Sequence, residues 1–147
     1  MSLQTDNNLE LYKAYQNLSS SGLSNHLIAQ GLKTSRKQLG YIVSQYSFET
    51  NLEYHIAEQD GSYFFEGEFY LSRGVLDNIP KKEIAEIFDF TRRLVQQHNG
   101  IDYLQTFYSI DQDCKLFFID NLNREMIESN NYRSSDNYAT LLLSSEY

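Results

Sequence analysis

The hydrophobic repeat of this chain changes at Glu49-Thr50-Asn51, and that change limits the fold more than any other feature. Before it, apolar residues recur at helical spacing: Leu9, Tyr12, Tyr15 and Leu18, then Leu27, Ile28 and Leu32, then Leu39, Ile42, Val43 and Tyr46. After it, alternation takes over. Tyr63, Phe65, Phe69 and Leu71 fall on one side of an extended chain, with Glu66 and Glu68 on the other. The spacing predicts a helical segment over 1–50 followed by an α+β domain over 51–147.

Within the second part, Asp60-Gly61 predicts a tight hairpin joining Glu53–Gln59 to Tyr63–Ser72. Gly67 suggests a bulge or close packing, and Arg73-Gly74 a turn. Pro80 opens the strongest helical pattern, and Asn99-Gly100 closes it after His98, as a left-handed cap would. Ile84, Ile87, Phe88, Thr91, Leu94 and Val95 form its apolar stripe. Strands are expected over Tyr103–Ile110, Lys115–Asp120 and Tyr138–Ser144, with a short helix over Leu122–Glu128. The expected architecture is a mostly antiparallel sheet of about five strands with the long helix packed on one face. Leu71, Ile84, Ile87, Phe88, Leu94, Phe107, Phe117, Ile119 and Leu142 are its expected core.

The 147 residues suffice to bury a core without bridges, and the lone Cys114 excludes an intrachain disulfide. MSLQTDNNLE lacks the basic-then-apolar pattern of a secretory leader, and the apolar runs are too short to span a bilayer. A cytoplasmic protein with no membrane contact is expected. The net charge of −8 is unevenly spread. Lys13, Lys33, Arg36 and Lys37 against Asp6, Glu10 and Glu49 leave residues 1–50 at +1, and hence residues 51–147 at −9. The acidic part should repel nucleic acid by itself.

The bases of the first part cluster in GLSNHLIAQGLKTSRKQLGYIV, Gly22 to Val43. Ala29 is small where two helices would cross. Ile28, Leu32, Leu39 and Ile42 supply inward apolar positions, and Lys33-Thr34-Ser35 a turn and a helix start. The second helix then presents Ser35, Arg36, Lys37 and Gln38 at its N-terminal end, the end that meets base edges and phosphates in helix-turn-helix modules. Arg can donate twice to guanine, Gln pairs with adenine, and Lys pairs with phosphate. The pattern G-L-S-N-x-x-I-A-x-x-L-x-x-S-x-x-x-L resembles the DNA-binding helix-turn-helix of response regulators and sigma factors. That resemblance implies contact with double-stranded DNA through residues 22–43, carried by Lys33, Ser35, Arg36, Lys37 and Gln38. Two departures stand against it. Lys33 occupies a turn position that family usually gives to glycine, and Gly40 lowers helix propensity by about 1 kcal/mol relative to Ala. The same apolar spacing also suits two helices that merely cap the α+β part.

Four later segments, LSRGVLDNIP, DYLQTF, KLFFIDNLN and TLLLSSEY, resemble in their order a family of small plasmid- and phage-associated bacterial proteins of unknown function. The resemblance covers about half the chain. It implies one α+β unit and a mobile-element setting, and it transfers no catalytic residues.

Little else points to chemistry. His26, His55 and His98 lack the spacing of a zinc site, Cys114 has only Lys115 as a basic neighbour, and there is no glycine-rich phosphate loop. The best acid cluster is Glu66 and Glu68, with His55 expected across the hairpin, and an exposed sheet face explains it more simply. Asp111 and Asp113 read as turn residues. Tyr108, Phe117 and Phe118 read as core rather than as a base-stacking platform. The sequence thus supports a non-enzymatic protein without cofactor or metal. The first expectation is a DNA-binding regulator whose acidic part dimerises or senses a signal. The alternative is an acidic protein-interaction module, or an inhibitor from a mobile element, that makes no DNA contact.

Overall fold

The computed structural model describes residues 48–57 and 59–147. They belong to one unit of the chain, Phe48–Tyr147. The pattern assigned to the helix-turn-helix lies outside the described residues.

Five strands, β1 (Leu52–His55), β2 (Glu68–Leu71), β3 (Leu104–Ser109), β4 (Cys114–Asp120) and β5 (Tyr138–Leu143), form one sheet in the order β1-β3-β4-β5-β2. The fold class is α+β, and the sheet is mixed: edge strand β2 runs parallel to β5, while the other three pairings are antiparallel. β3–β4 and β4–β5 are antiparallel, and β4 is central. The hairpin expected at Asp60-Gly61 does not form. β1 pairs with β3, placing Tyr54 opposite Phe107, and β2 pairs with β5, so the two strands occupy opposite edges. Gly61 instead lies against Ile101, where an added Cβ would fall 2.3 Å from the carbonyl oxygen.

Arg73-Gly74 is not a turn. It opens a short helix, α1 (Arg73–Asn78), whose cap Ser72 accepts a hydrogen bond from the Val75 N–H at 3.2 Å. Helix α2 (Lys81–His98) follows, with Pro80 as its cap residue. Asn99 ends it in the left-handed conformation, at φ 52° and ψ 51°. The helix meets the strands through side chains. Phe90 lies 5.9 Å from the Phe107 ring, Phe88 lies 5.2 Å from Phe118, and buried Glu83 accepts a 2.5 Å hydrogen bond from Ser109. Phe48 and Tyr54 extend this aromatic cluster onto Phe90. Among the described residues no helix is long and apolar enough to cross a membrane.

One face of the sheet is buried by Leu52, Tyr54, Gln105, Phe107, Leu116, Phe118, Ala139 and Leu141. Of the expected core residues, Ile84, Ile87, Leu94 and Phe107 are buried. Leu71, Phe88, Phe117, Ile119 and Leu142 are only half-buried. On β4 the expectation had the wrong parity. Leu116-Phe117-Phe118-Ile119 is apolar on both faces, so its alternation does not tell which side turns inward.

Candidate functional site

The inward parity of β4 runs Leu116, Phe118, Asp120, and so ends on a carboxylate at the edge of the core. Asp120 is 3% exposed. Its backbone N–H donates to the Tyr103 carbonyl at 3.0 Å, holding the start of β3 beside it. Over it runs the segment 62–67. Tyr63 exchanges two 2.9 Å backbone hydrogen bonds with Ile101, and the Ser62 carbonyl accepts one from Arg124 at 3.1 Å. These anchors turn Phe65 inward. Its ring packs 4.9 Å from Phe118, and its N–H donates to Asp120 Oδ2 at 2.9 Å. The backbone adopts φ 47° at Phe65, a left-handed conformation that side-chain-bearing residues hold only when packing enforces it.

At the same end of the sheet, Gly67 passes so close to Asn137 that an added Cβ would fall 2.1 Å from its carbonyl oxygen. Helix α3 (Arg124–Glu128) begins beside this segment, with the Asn123 side chain accepting from the Met126 N–H at 2.8 Å. Arg124 forms an ion pair with Glu66, Nη2 donating to Oε2 at 3.4 Å and Nε lying 3.2 Å from Oε1 without a hydrogen bond of its own, and its guanidinium stands 3.9 Å over the Phe64 ring.

The electrostatics at Asp120 follow from this packing. Burial pushes its pKa up to about 6, helped by Glu66, while the backbone N–H groups of Phe65, Asn121 and Leu122 pull the other way. Oδ1 has no hydrogen-bond partner. The Tyr63 hydroxyl is likewise raised, by burial first and by Asp120 and Asp102 after it. The chemistry available here is the holding and release of a proton near neutral pH by a group inside the protein.

Lys33, Ser35, Arg36, Lys37 and Gln38 lie outside the described residues, as does His26. The cluster of Glu66, Glu68 and His55 is not assembled. Glu66 pairs with Arg124, and Glu68 accepts from the Tyr70 hydroxyl at 2.9 Å. His55 lies on the opposite edge strand, roughly 19 Å from β2 at the usual strand spacing. His55 lies instead 3.8 Å from Glu53. Among the described residues no group of three or more His, Cys, Asp or Glu is placed to hold a metal ion. Asp111 accepts from Asn51 Nδ2 at 3.0 Å and Asp113 from the Tyr108 hydroxyl, both at the β3–β4 turn. Cys114 is half-buried, with Sγ donating to the Gln112 carbonyl at 3.2 Å. Tyr108 and Phe117 lie on the sheet face opposite Phe118, so the three do not form one stacking surface.

From the sequence, Tyr63 and Phe65 read only as one face of a strand, and neither Asp120 nor Arg124 as a site residue. The available signal was an acid two places after Phe118 on an otherwise apolar strand. Comparison of the chain with family profiles, curated proteins and solved structures gave no match.

Proposed function

We propose that this protein is a small DNA-binding regulator that reads duplex DNA with residues 22–43 and keeps its acidic α+β domain off the phosphates. The observation that carries this reading is the segregation of charge. Lys33, Arg36 and Lys37 stand together at the start of a recognition-helix pattern, while residues 51–147 carry −9. The described domain also engages six of its eight cations within itself. Arg73, Lys82, Arg93 and Arg124 pair with Asp77, Glu49, Asp89 and Glu66, and Arg92 and Lys115 lie over the Phe69 and Phe117 rings. Such a domain has little positive surface to offer a phosphate backbone. A reader of this kind on a two-fold site works as a homodimer.

The test is fluorescence anisotropy of labelled duplex DNA with the full chain. The expected result is binding at low salt that weakens steeply as salt rises and is lost in the Arg36→Glu/Lys37→Glu variant. No binding at low salt, or undiminished binding by that variant, would overturn it.

A second reading, an acidic protein-interaction module of mobile-element origin, draws support from one corner of the sheet. Glu53, Asp111, Asp113 and exposed Ile110 gather where β1 begins and β3 turns into β4, a surface that suits a basic partner such as the groove of a nucleic-acid enzyme. Capture of such an enzyme by the full chain, lost in the Asp111→Lys/Asp113→Lys variant, is its expected mark.

A further inference from the structure

We propose that Asp120 and the segment 62–67 form a proton-operated latch, in which the segment is shut over the end of β4 while Asp120 carries a proton and opens to water when Asp120 ionises. The geometry gives the latch its parts. Asp120 is buried, one carboxylate oxygen is committed to the Phe65 N–H, and the other has no partner. Asn137 Oδ1, which also lacks a partner, faces the same segment at Gly67. An unpaired buried oxygen suits a protonated carboxyl, which turns one acceptor into a donor, better than a carboxylate. Shut, the segment holds Phe65 at φ 47° against its backbone preference, so part of the strain is relieved on opening.

Among the described residues, the charge that bears most on the ionised form is that of Glu66, which opposes it, and Tyr63, which Asp120 and Asp102 both act on, is neutral. The cation on α3, Arg124, is committed to Glu66 and the Phe64 ring, and Arg92 on α2 lies over Phe69. The sign follows. Asp120 releases its proton near pH 6 when the latch is shut and near the ordinary 3.8 when it is open. The shut form is therefore fully favoured below about pH 4, loses ground between about 4 and 6, and loses nothing further above.

Amide hydrogen exchange on the full chain, followed residue by residue from pH 4 to 7.5 and corrected for intrinsic rates, tests this. Protection of the Tyr63 and Phe65 amides should fall about tenfold per pH unit between about 4 and 6, approaching a hundredfold in all, while Phe107 and Leu116, which exchange only by global unfolding, stay the better protected at every pH. Asp120→Asn should hold the acid-state protection at every pH, and Glu66→Gln should keep the wild-type profile. Level protection at Phe65 in the wild type, or a pH dependence that survives Asp120→Asn or vanishes with Glu66→Gln, overturns the latch. Should Asp120→Asn fail to fold, carbon-detected titration of the wild-type carboxyl decides. A midpoint near 6 supports the latch and one near 3.8 overturns it.

Discussion

Two carboxylates tie distant parts of this chain together, and their surroundings push them in opposite directions. Asp120, inside the core, holds Phe65 across 55 residues by one N–H. Glu146, on the surface, accepts from Ser72 Oγ at 2.6 Å, Leu143 N–H at 2.9 Å and Gly74 N–H at 3.1 Å. The donors around Glu146, the Ser72 hydroxyl foremost, hold its pKa below the usual range, whereas burial lifts that of Asp120. Glu146 keeps its water and gains donors, so its charge strengthens the clamp. Asp120 has lost its water, and the backbone donors near it do not make up for that loss, so burial disfavours its charge even though the Phe65 N–H favours it.

Glycines beside the two carboxylates should separate the regions most sharply. An added Cβ at Gly67 meets the backbone of Asn137 at 2.1 Å, where β2 joins β5, and backbone cannot step aside. At Gly74 the nearest atom, at 2.6 Å, is the end of the Glu146 side chain, which can swing away into solvent. Gly67→Ala is expected to destabilise by about 3 kcal/mol or more and Gly74→Ala by about 1, as read by urea denaturation. Equal losses would mean that both ends of the sheet yield alike.

Next in size is Asp120→Asn. The folded protein binds the Asp120 proton more tightly than the unfolded chain, so the wild type loses stability as pH rises from about 4 through about 6. An amide in that place keeps an acceptor for the Phe65 N–H and carries no charge. The variant should gain about 2 kcal/mol over the wild type at pH 7 and match it at pH 4, measured as thermal midpoints at each pH. A variant less stable at pH 7 would show that the carboxylate is better solvated than its burial implies.

The same contrast explains what the sequence disclosed. Helix α2 was legible to within a residue because Pro80 and Asn99-Gly100 bracket it chemically, and β3, β4 and β5 because their apolar runs stop at turn residues. The pairing of β1 and β2 was not legible. Asp60-Gly61 has the chemistry of a hairpin turn, but a turn signal is local, and both strands found partners more than 50 residues away. The parity of β4 was hidden by apolar residues on both faces. Asp120 could be seen only as the end of a strand, and a left-handed phenylalanine at position 65 leaves no mark in composition. Glu146 entered only as part of the terminal Glu-Tyr of a resemblance, and its role as a clamp appears once β5 places it beside Ser72 and Gly74.

The smallest effect is the most direct check on the comparison. Glu146 lies at the surface, where solvent weakens every charged contact, so Glu146→Gln should lower the thermal midpoint at pH 7 only slightly. Its direction matters more than its size. A carboxyl whose folded pKa lies below its ordinary 4.5 contributes stability above that pH and loses it as pH falls. The deficit of Glu146→Gln should therefore be present at pH 7 and shrink below about 4.5, whereas the gain from Asp120→Asn should appear only as pH climbs. The two variants thus move the midpoint in opposite directions at pH 7. If both lower it, Asp120 is a second clamp of the Glu146 kind, solvated and content with its charge. If both raise it, the donors at Ser72, Gly74 and Leu143 do not hold Glu146 in solution, and the charge there is exposed to the repulsion of an acidic surface.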